Sequence, residues 1–254
     1  MRQVLCFGDS NTYGYVPGTA ERYDWDTRWT GIVGTGLMEK GYIVQEEGLC
    51  GRTTVFDDPL RPGRRGSELL PIILETHKPE DLIILMLGTN DCKTFYGATA
   101  GSIGLGIRKL VRQIRDGAPS AKILLMSPIA LGEKVWDGFD PEFGKNSVQV
   151  SKELPEVYQQ IAEEEELYYL AASDYAVPSE RDQEHMDEEG DCRQKRSIKT
   201  GIYEGSADHR KLSLCQYGIW THDAGSRTVL ALVAVYQSDG IYRCISVCAG
   251  NILK

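Results

Sequence analysis

A serine attacks an ester carbonyl only where a neighbouring base removes its proton and fixed donors receive the charge that builds on the carbonyl oxygen. Four short stretches of this 254-residue chain supply residues of those types. Ser10 stands in Phe7-Gly8-Asp9-Ser10-Asn11-Thr12-Tyr13-Gly14, directly after the apolar run Val4-Leu5-Cys6, and is the candidate nucleophile. Gly8 and Gly14 permit tight turns on either side of it and let a substrate approach the backbone. Gly51, in Gly48-Leu49-Cys50-Gly51, and Asn90, in Gly88-Thr89-Asn90-Asp91, are candidate donors to an oxyanion. Asp182 and His185, three apart in Arg181-Asp182-Gln183-Glu184-His185, are a candidate base and the carboxylate that orients it.

Each stretch follows a run that reads as a strand. Asp81 to Leu87 is the most apolar segment of the chain and predicts a central strand covered on both faces. Gly41–Glu46, Ala121–Met126 and Tyr168–Ala172 are further strands. Helices are predicted over Trp29–Lys40, over Gly66–His77 with a proline inside, over Ile103–Asp116 and over Val148–Leu167, the last ending in four glutamates read as a solvated face. Alternating strands and helices with right-handed crossovers give an α/β fold, a doubly wound parallel sheet with helices on both sides. In such sheets ligands bind outside the carboxyl ends of the strands, where all four stretches fall.

The net charge is −9 and the pI about 5.1, so the chain lacks the basic footprint of a nucleic-acid binder and is poorly suited to an anionic membrane surface. No signal peptide or membrane-spanning run is visible, and the seven cysteines show no paired metal-type spacing. The expectation is a cytoplasmic protein with reduced thiols, no metal and no cofactor, acting on a small molecule. Nothing in the sequence fixes its oligomeric state, and a homo-oligomer is compatible with it. Charge divides the chain: residues 1–190 hold 19 basic and 32 acidic side chains, whereas 191–254 hold 9 and 5. We therefore expect a catalytic domain over 1–190 and an atypical extension over 191–254. Within the extension, Thr228–Tyr236 and Ile241–Ala249 read as a β-hairpin turning at Asp239-Gly240.

With its four blocks in this order, the chain resembles the SGNH (GDSL-type) hydrolases, and closely the arylesterase and acyltransferase branch. Gly8-Asp9-Ser10, Gly48 to Gly51, Gly88 to Asp91 and the closing Asp182-x-x-His185 carry the likeness. Arg28-Trp29-Thr30-Gly31, Glu46-Glu47-Gly48-Leu49, Arg52-Thr53-Thr54 and Asp57-Asp58-Pro59 point to the branch. The resemblance implies a three-layer α/β/α, flavodoxin-like fold with a five-stranded parallel sheet. It implies a triad of Ser10, Asp182 and His185, and an oxyanion hole made by the amides of Ser10 and Gly51 and the side chain of Asn90. Glu46 stands where the glycine block often opens with asparagine. Past Gly190 the pattern of a closing helix breaks off, which leaves the support behind His185 unaccounted for.

The reading is a serine esterase for small aryl, alkyl or short-acyl esters that works through an acyl-enzyme on Ser10, with acyl transfer to alcohols a further outlet. The nearest alternative is a carbohydrate O-deacetylase, which asks for a more open and polar cleft than the aromatic-rich segment 131–144 indicates. A non-catalytic binding module on the same fold is the alternative from another class. Asp9, Trp29, Cys50, Cys92 and Trp136 are the candidate pocket residues. Asp9 is expected to fix the Ser10 turn by hydrogen bonds, and the two cysteines to lie near the oxyanion hole.

Overall fold

The computed structural model describes residues 1–38 and 40–187 in full, and the backbone of 220–223, 228–238 and 241–249. Five strands, β1 (Arg2–Gly8), β2 (Tyr42–Gly48), β3 (Leu82–Met86), β4 (Lys122–Ser127) and β5 (Tyr168–Ala171), form one sheet in the order β2-β1-β3-β4-β5. All four pairings are parallel. This is the expected flavodoxin-like order, with the chain switching direction at β1, so the end of β1 lies at the crevice where such sheets bind ligands.

The two faces are built from alternate residues of the same strands. Leu5 and Phe7 of β1 and Ile83 and Leu85 of β3 pack against α3 (Gly66–His77), α4 (Ala100–Gly117) and α5 (Lys145–Glu164). Val4, Cys6, Leu82, Ile84 and Met86 face the other way, against Trp29, Val33 and Leu37 of α2 (Trp29–Met38). β3 is buried along its whole length, as a central strand covered on both faces must be. The glutamate run at the end of α5 is only partly a solvated face. Glu164 and Glu165 reach Arg108, and Glu165 also reaches Arg115, so the run fastens α5 to α4. No helix among the described residues is long and apolar enough to cross a membrane.

Toward the end of the sequence, β6 (Trp220–Asp223), β7 (Thr228–Ser238) and β8 (Ile241–Ala249) make an antiparallel sheet in that order. The proposed turn Asp239-Gly240 and the segment 188–219, where a closing helix was sought, lie outside the described residues.

The strand-end loops are tied to each other by buried polar groups. Asp91, fully buried, accepts the Thr54 amide at 3.0 Å as well as the Thr54 hydroxyl, joining the loop after β3 to the loop after β2. Burial pushes the Asp91 carboxyl up to about 7, against the Thr54 hydrogen bonds, which lower it. A carboxyl raised on folding stabilises the fold while it is protonated, and that contribution is lost as pH rises through about 7. The near-isosteric change Asp91→Asn keeps an acceptor for Thr54 and removes the charge. In urea titrations the variant should match the parent near pH 4 and exceed it at pH 8, by about 1 kcal/mol or more. Equal or lower stability of the variant at pH 8 contradicts this account of Asp91.

Candidate active site

Residues at the end of β1 set up Ser10, the candidate nucleophile. Asp9 caps the single helical turn α1 (Ser10–Tyr13) by accepting the Asn11 amide at 3.0 Å. Gly8 is needed because a Cβ there would overlap the Thr12 side chain and approach the Met86 carbonyl to 2.7 Å. Ser10 is thereby held at the carboxyl edge of the sheet.

The candidate base, His185, arrives on the segment after β5. His185 Nε2 lies 2.8 Å from Ser10 Oγ, and its Nδ1 lies 2.8 Å from Asp182 Oδ2. The other Asp182 oxygen accepts the amides of Glu184 and His185, each at 3.0 Å, so the carboxylate and the imidazole are locked in one turn. Burial acts to raise Asp182, but hydrogen bonding and the charge of His185 outweigh it and hold the carboxyl below its ordinary range. For His185 burial acts downward, and the carboxylates of Glu184 and Asp182 outweigh it and raise the imidazole above its ordinary value. Asn11 stitches the two halves together: its Oδ1 accepts the Met186 amide at 2.9 Å and its Nδ2 donates to the Glu184 carbonyl at 3.5 Å.

Ser10, Gly51, Asn90 and His185 line one open cleft of about 470 Å³. Gly51 holds φ at +83°, a left-handed conformation that disfavours any side chain, and a Cβ there would come within 3.1 Å of the Arg61 guanidinium. Asn90 Nδ2 donates to the Arg52 carbonyl at 3.2 Å, which fixes the direction of its amide.

The expected pocket residues fare differently. Cys50 lines the cleft. Asp9 sits behind Ser10 as a cap and is fully buried. Trp29 turns away because its indole donates to the Asn11 carbonyl at 3.0 Å, which places it in a neighbouring cavity with Tyr23 and Arg28. Cys92 points back toward the Gly88 carbonyl, 3.4 Å away, and is buried. Trp136 lies outside the lining, beneath the ammonium of Lys145 at 4.5 Å from the ring centroid. The cleft wall is instead polar: Arg61, Lys93, Asp140, Glu142 and Glu184 contribute to it, with the Tyr15 ring tilted at 36° to the His185 ring, centroids 4.5 Å apart. The aromatic cleft expected from 131–144 is therefore corrected, since Phe143 of that segment is buried in the core and Phe139 is exposed.

Arg61 and Lys93 are neutralised where they stand. Arg61 reaches Glu142 at 2.9 Å and Asp58 at 3.1 Å, and Lys93, only 2% exposed, lies 2.9 Å from the same Glu142 oxygen. These pairs bridge the loop after β2 to the segment before α5 across the cleft. No sequence signal joins Arg61 to a partner 81 residues away. Arg52 was legible as part of a motif but not in its role. Its buried guanidinium donates to the carbonyls of Gly8, at 2.9 Å, and Glu47, and lies over the Phe7 ring. Glu46, the departure noted in the glycine block, accepts Arg28 at 2.6 and 2.7 Å, Arg22 at 3.1 Å and the Thr30 hydroxyl. The branch motifs around residues 28 and 46 are thus one ion-pair network that joins the start of α2 to β2. No group of three or more metal-ligating side chains occurs among the described residues.

The model of the GDSL-like Lipase/Acylhydrolase family matches residues 6–193. A comparison with curated proteins finds no match. Among solved structures, Est24, a carbohydrate acetylesterase from Sinorhizobium meliloti, is 37% identical with a TM-score of 0.69, covering 74% of this chain and 91% of that one. The aryl esterase of M. smegmatis is 35% identical with a TM-score of 0.68 over the same shares. Sequence blocks, sheet order and these likenesses agree, and the chain belongs to the GDSL-like lipase/acylhydrolase family.

Proposed function

We propose that the chain is a serine esterase that cleaves short-acyl esters through an acyl-enzyme on Ser10. The observation that carries this reading is the unbroken pair of 2.8 Å contacts from Ser10 Oγ through the His185 ring to Asp182. In this reading His185 Nε2 takes the hydroxyl proton as Ser10 Oγ attacks the carbonyl carbon, and Asp182 steadies the imidazolium at Nδ1. The amides of Ser10 and Gly51 and the Asn90 side chain receive the oxyanion. The alcohol leaves with the proton from His185. Water then attacks the acyl carbon and gives its proton to the same nitrogen; the bond from the acyl carbon to Ser10 Oγ breaks, His185 returns the proton to Oγ, and the acid leaves. An alcohol that reaches the acyl-enzyme before water would be acylated instead, by the same steps.

The polar wall favours a hydroxylated alcohol moiety over an apolar one, because charged and amide groups around a bound sugar can exchange hydrogen bonds with its hydroxyls. This shifts the weight from an aryl substrate toward a carbohydrate ester, in line with the likeness to the carbohydrate acetylesterase Est24, while the likeness to the aryl esterase of M. smegmatis leaves room for small aryl acetates. The three free cysteines among the described residues, Cys6, Cys50 and Cys92, support a cytoplasmic location.

An organophosphonate probe should add one label to the chain, at Ser10, and Ser10→Ala should abolish both labelling and ester hydrolysis. A label on another serine overturns the assignment. Asn90→Ala should lower kcat by about 10² to 10³ with KM little changed, and an effect confined to KM would count against an oxyanion role. Across a substrate series, acetylated sugars and 4-nitrophenyl acetate should both be hydrolysed, with kcat/KM falling as the acyl chain lengthens. Preference for long acyl chains with no acetate released from sugars would exclude the polar short-acyl reading.

A further inference from the structure

Glu184 has no part in the steps above, yet its Oε1 lies 3.8 Å from His185 Nε2, the nitrogen that bonds Ser10 Oγ. The residue is 8% exposed and lines the cleft. It is held there by its backbone. Gln183 before it takes φ of +63°, uncommon for a residue with a side chain, and is buried. The Gln183 carbonyl accepts the Gly132 amide at 2.8 Å and its amide donates to the Ser179 carbonyl at 2.8 Å. The His185 carbonyl accepts the Ser179 amide at 2.8 Å, closing the loop. The Glu184 amide and carbonyl are themselves engaged by Asp182 and Asn11. A strained, fully fastened turn thus delivers a carboxylate beside the proton-carrying atom of the base, while Asp182 occupies the other ring nitrogen.

We propose that Glu184 is a positioning residue for the acyl-transfer step, acting through His185: its carboxylate stabilises the imidazolium formed when Ser10 gives up its proton, without touching the substrate's reacting atoms. This deepens the esterase reading and rests on it. The groups that face the carboxylate are His185 and Asp182 on its own segment, Asp9 at the cap of α1 and Asp140 before α5. Arg61, Lys93, Glu142, Cys50 and Tyr15 share the cleft with it. Burial pushes Glu184 up to about 7, and Asp140, Asp182 and Asp9 act in the same direction against the opposing charge of His185. The carboxylate is therefore ionised in the alkaline range, where the neutral imidazole can act as base, and becomes protonated toward acid.

The two effects of its charge have opposite signs in the rate. An ionised Glu184 favours the imidazolium of the transition state, which speeds the reaction, and favours the resting imidazolium, which withdraws the base. Where His185 rests protonated the two cancel, and where it rests neutral only the acceleration remains. The change Glu184→Gln keeps the shape and removes the charge.

With 4-nitrophenyl acetate and the full chain, kcat/KM of the Gln variant should coincide with the parent near pH 5. It should fall roughly tenfold below the parent near pH 9, less than the 10² to 10³ expected for a lost oxyanion donor. Glu184→Asp should recover part of the alkaline rate. Titration of the imidazole signals by NMR, with His185 assigned by its loss in His185→Ala, should show His185 releasing its proton at lower pH in the Gln variant. A constant ratio of rates at every pH, or an unmoved His185 titration, overturns the proposal. If the parent hydrolyses no ester while the His185 titration still moves, the esterase reading fails and the charge coupling stands.

Discussion

The site depends on the buried guanidinium of Arg52. It donates to the last carbonyl of β1, at Gly8, and to the Glu47 carbonyl at the end of β2, and it packs over Phe7. Its own carbonyl accepts the Asn90 side chain from the loop after β3. One residue therefore sets the spacing of the three loops that carry Ser10, Gly51 and Asn90. Burial lowers the guanidinium to about 10, which still leaves it charged near neutrality, with Glu47 and Asp9 nearby in support. A buried charge of this kind is costly, the more so because its Nε is buried without a hydrogen-bond partner, and what it supplies here is the positional definition of the three loops.

The other buried ionisable groups divide by environment. Asp182, hydrogen-bonded by the His185 ring and by the backbone amides of Gly18, Glu184 and His185, is held below the ordinary carboxylate range. Asp9, Asp91 and Glu184 are raised by burial. Carboxyls whose environments push them apart in this way take different roles within one small volume. Asp182 holds the His185 ring at Nδ1, Asp9 and Asp91 fix turns, and Glu184 lies 3.8 Å from Nε2, where its charge can act on the imidazole.

Much of this was legible in the sequence because it is local. The strands announce themselves as apolar runs, each block follows a strand, and a parallel α/β sheet has one edge at which they can meet. Asp182 and His185 are three apart, so their pairing needs only one turn. What could not be read is where side chains point once helices pack. Trp29 starts a helix whose placement turns its indole to the Asn11 carbonyl, and Cys92 follows a tight turn that sends its thiol inward. The polar wall is built from pairs such as Arg61 with Glu142, made by the connections after β2 and β4, which the sheet order brings together from distant parts of the chain. Glu184 shows no pattern at all in sequence, since its placement rests on the φ of its neighbour.

The central claim is that Ser10 carries the acyl group during turnover. Mass spectrometry of the full chain, acid-quenched during steady-state hydrolysis of 4-nitrophenyl acetate, tests it most directly. The account predicts one acetyl group per chain on the peptide that contains Ser10, decaying as the ester is exhausted. Turnover with no acylated protein at any quench time, or acetyl on a different residue that forms and decays at the rate of turnover, would contradict it.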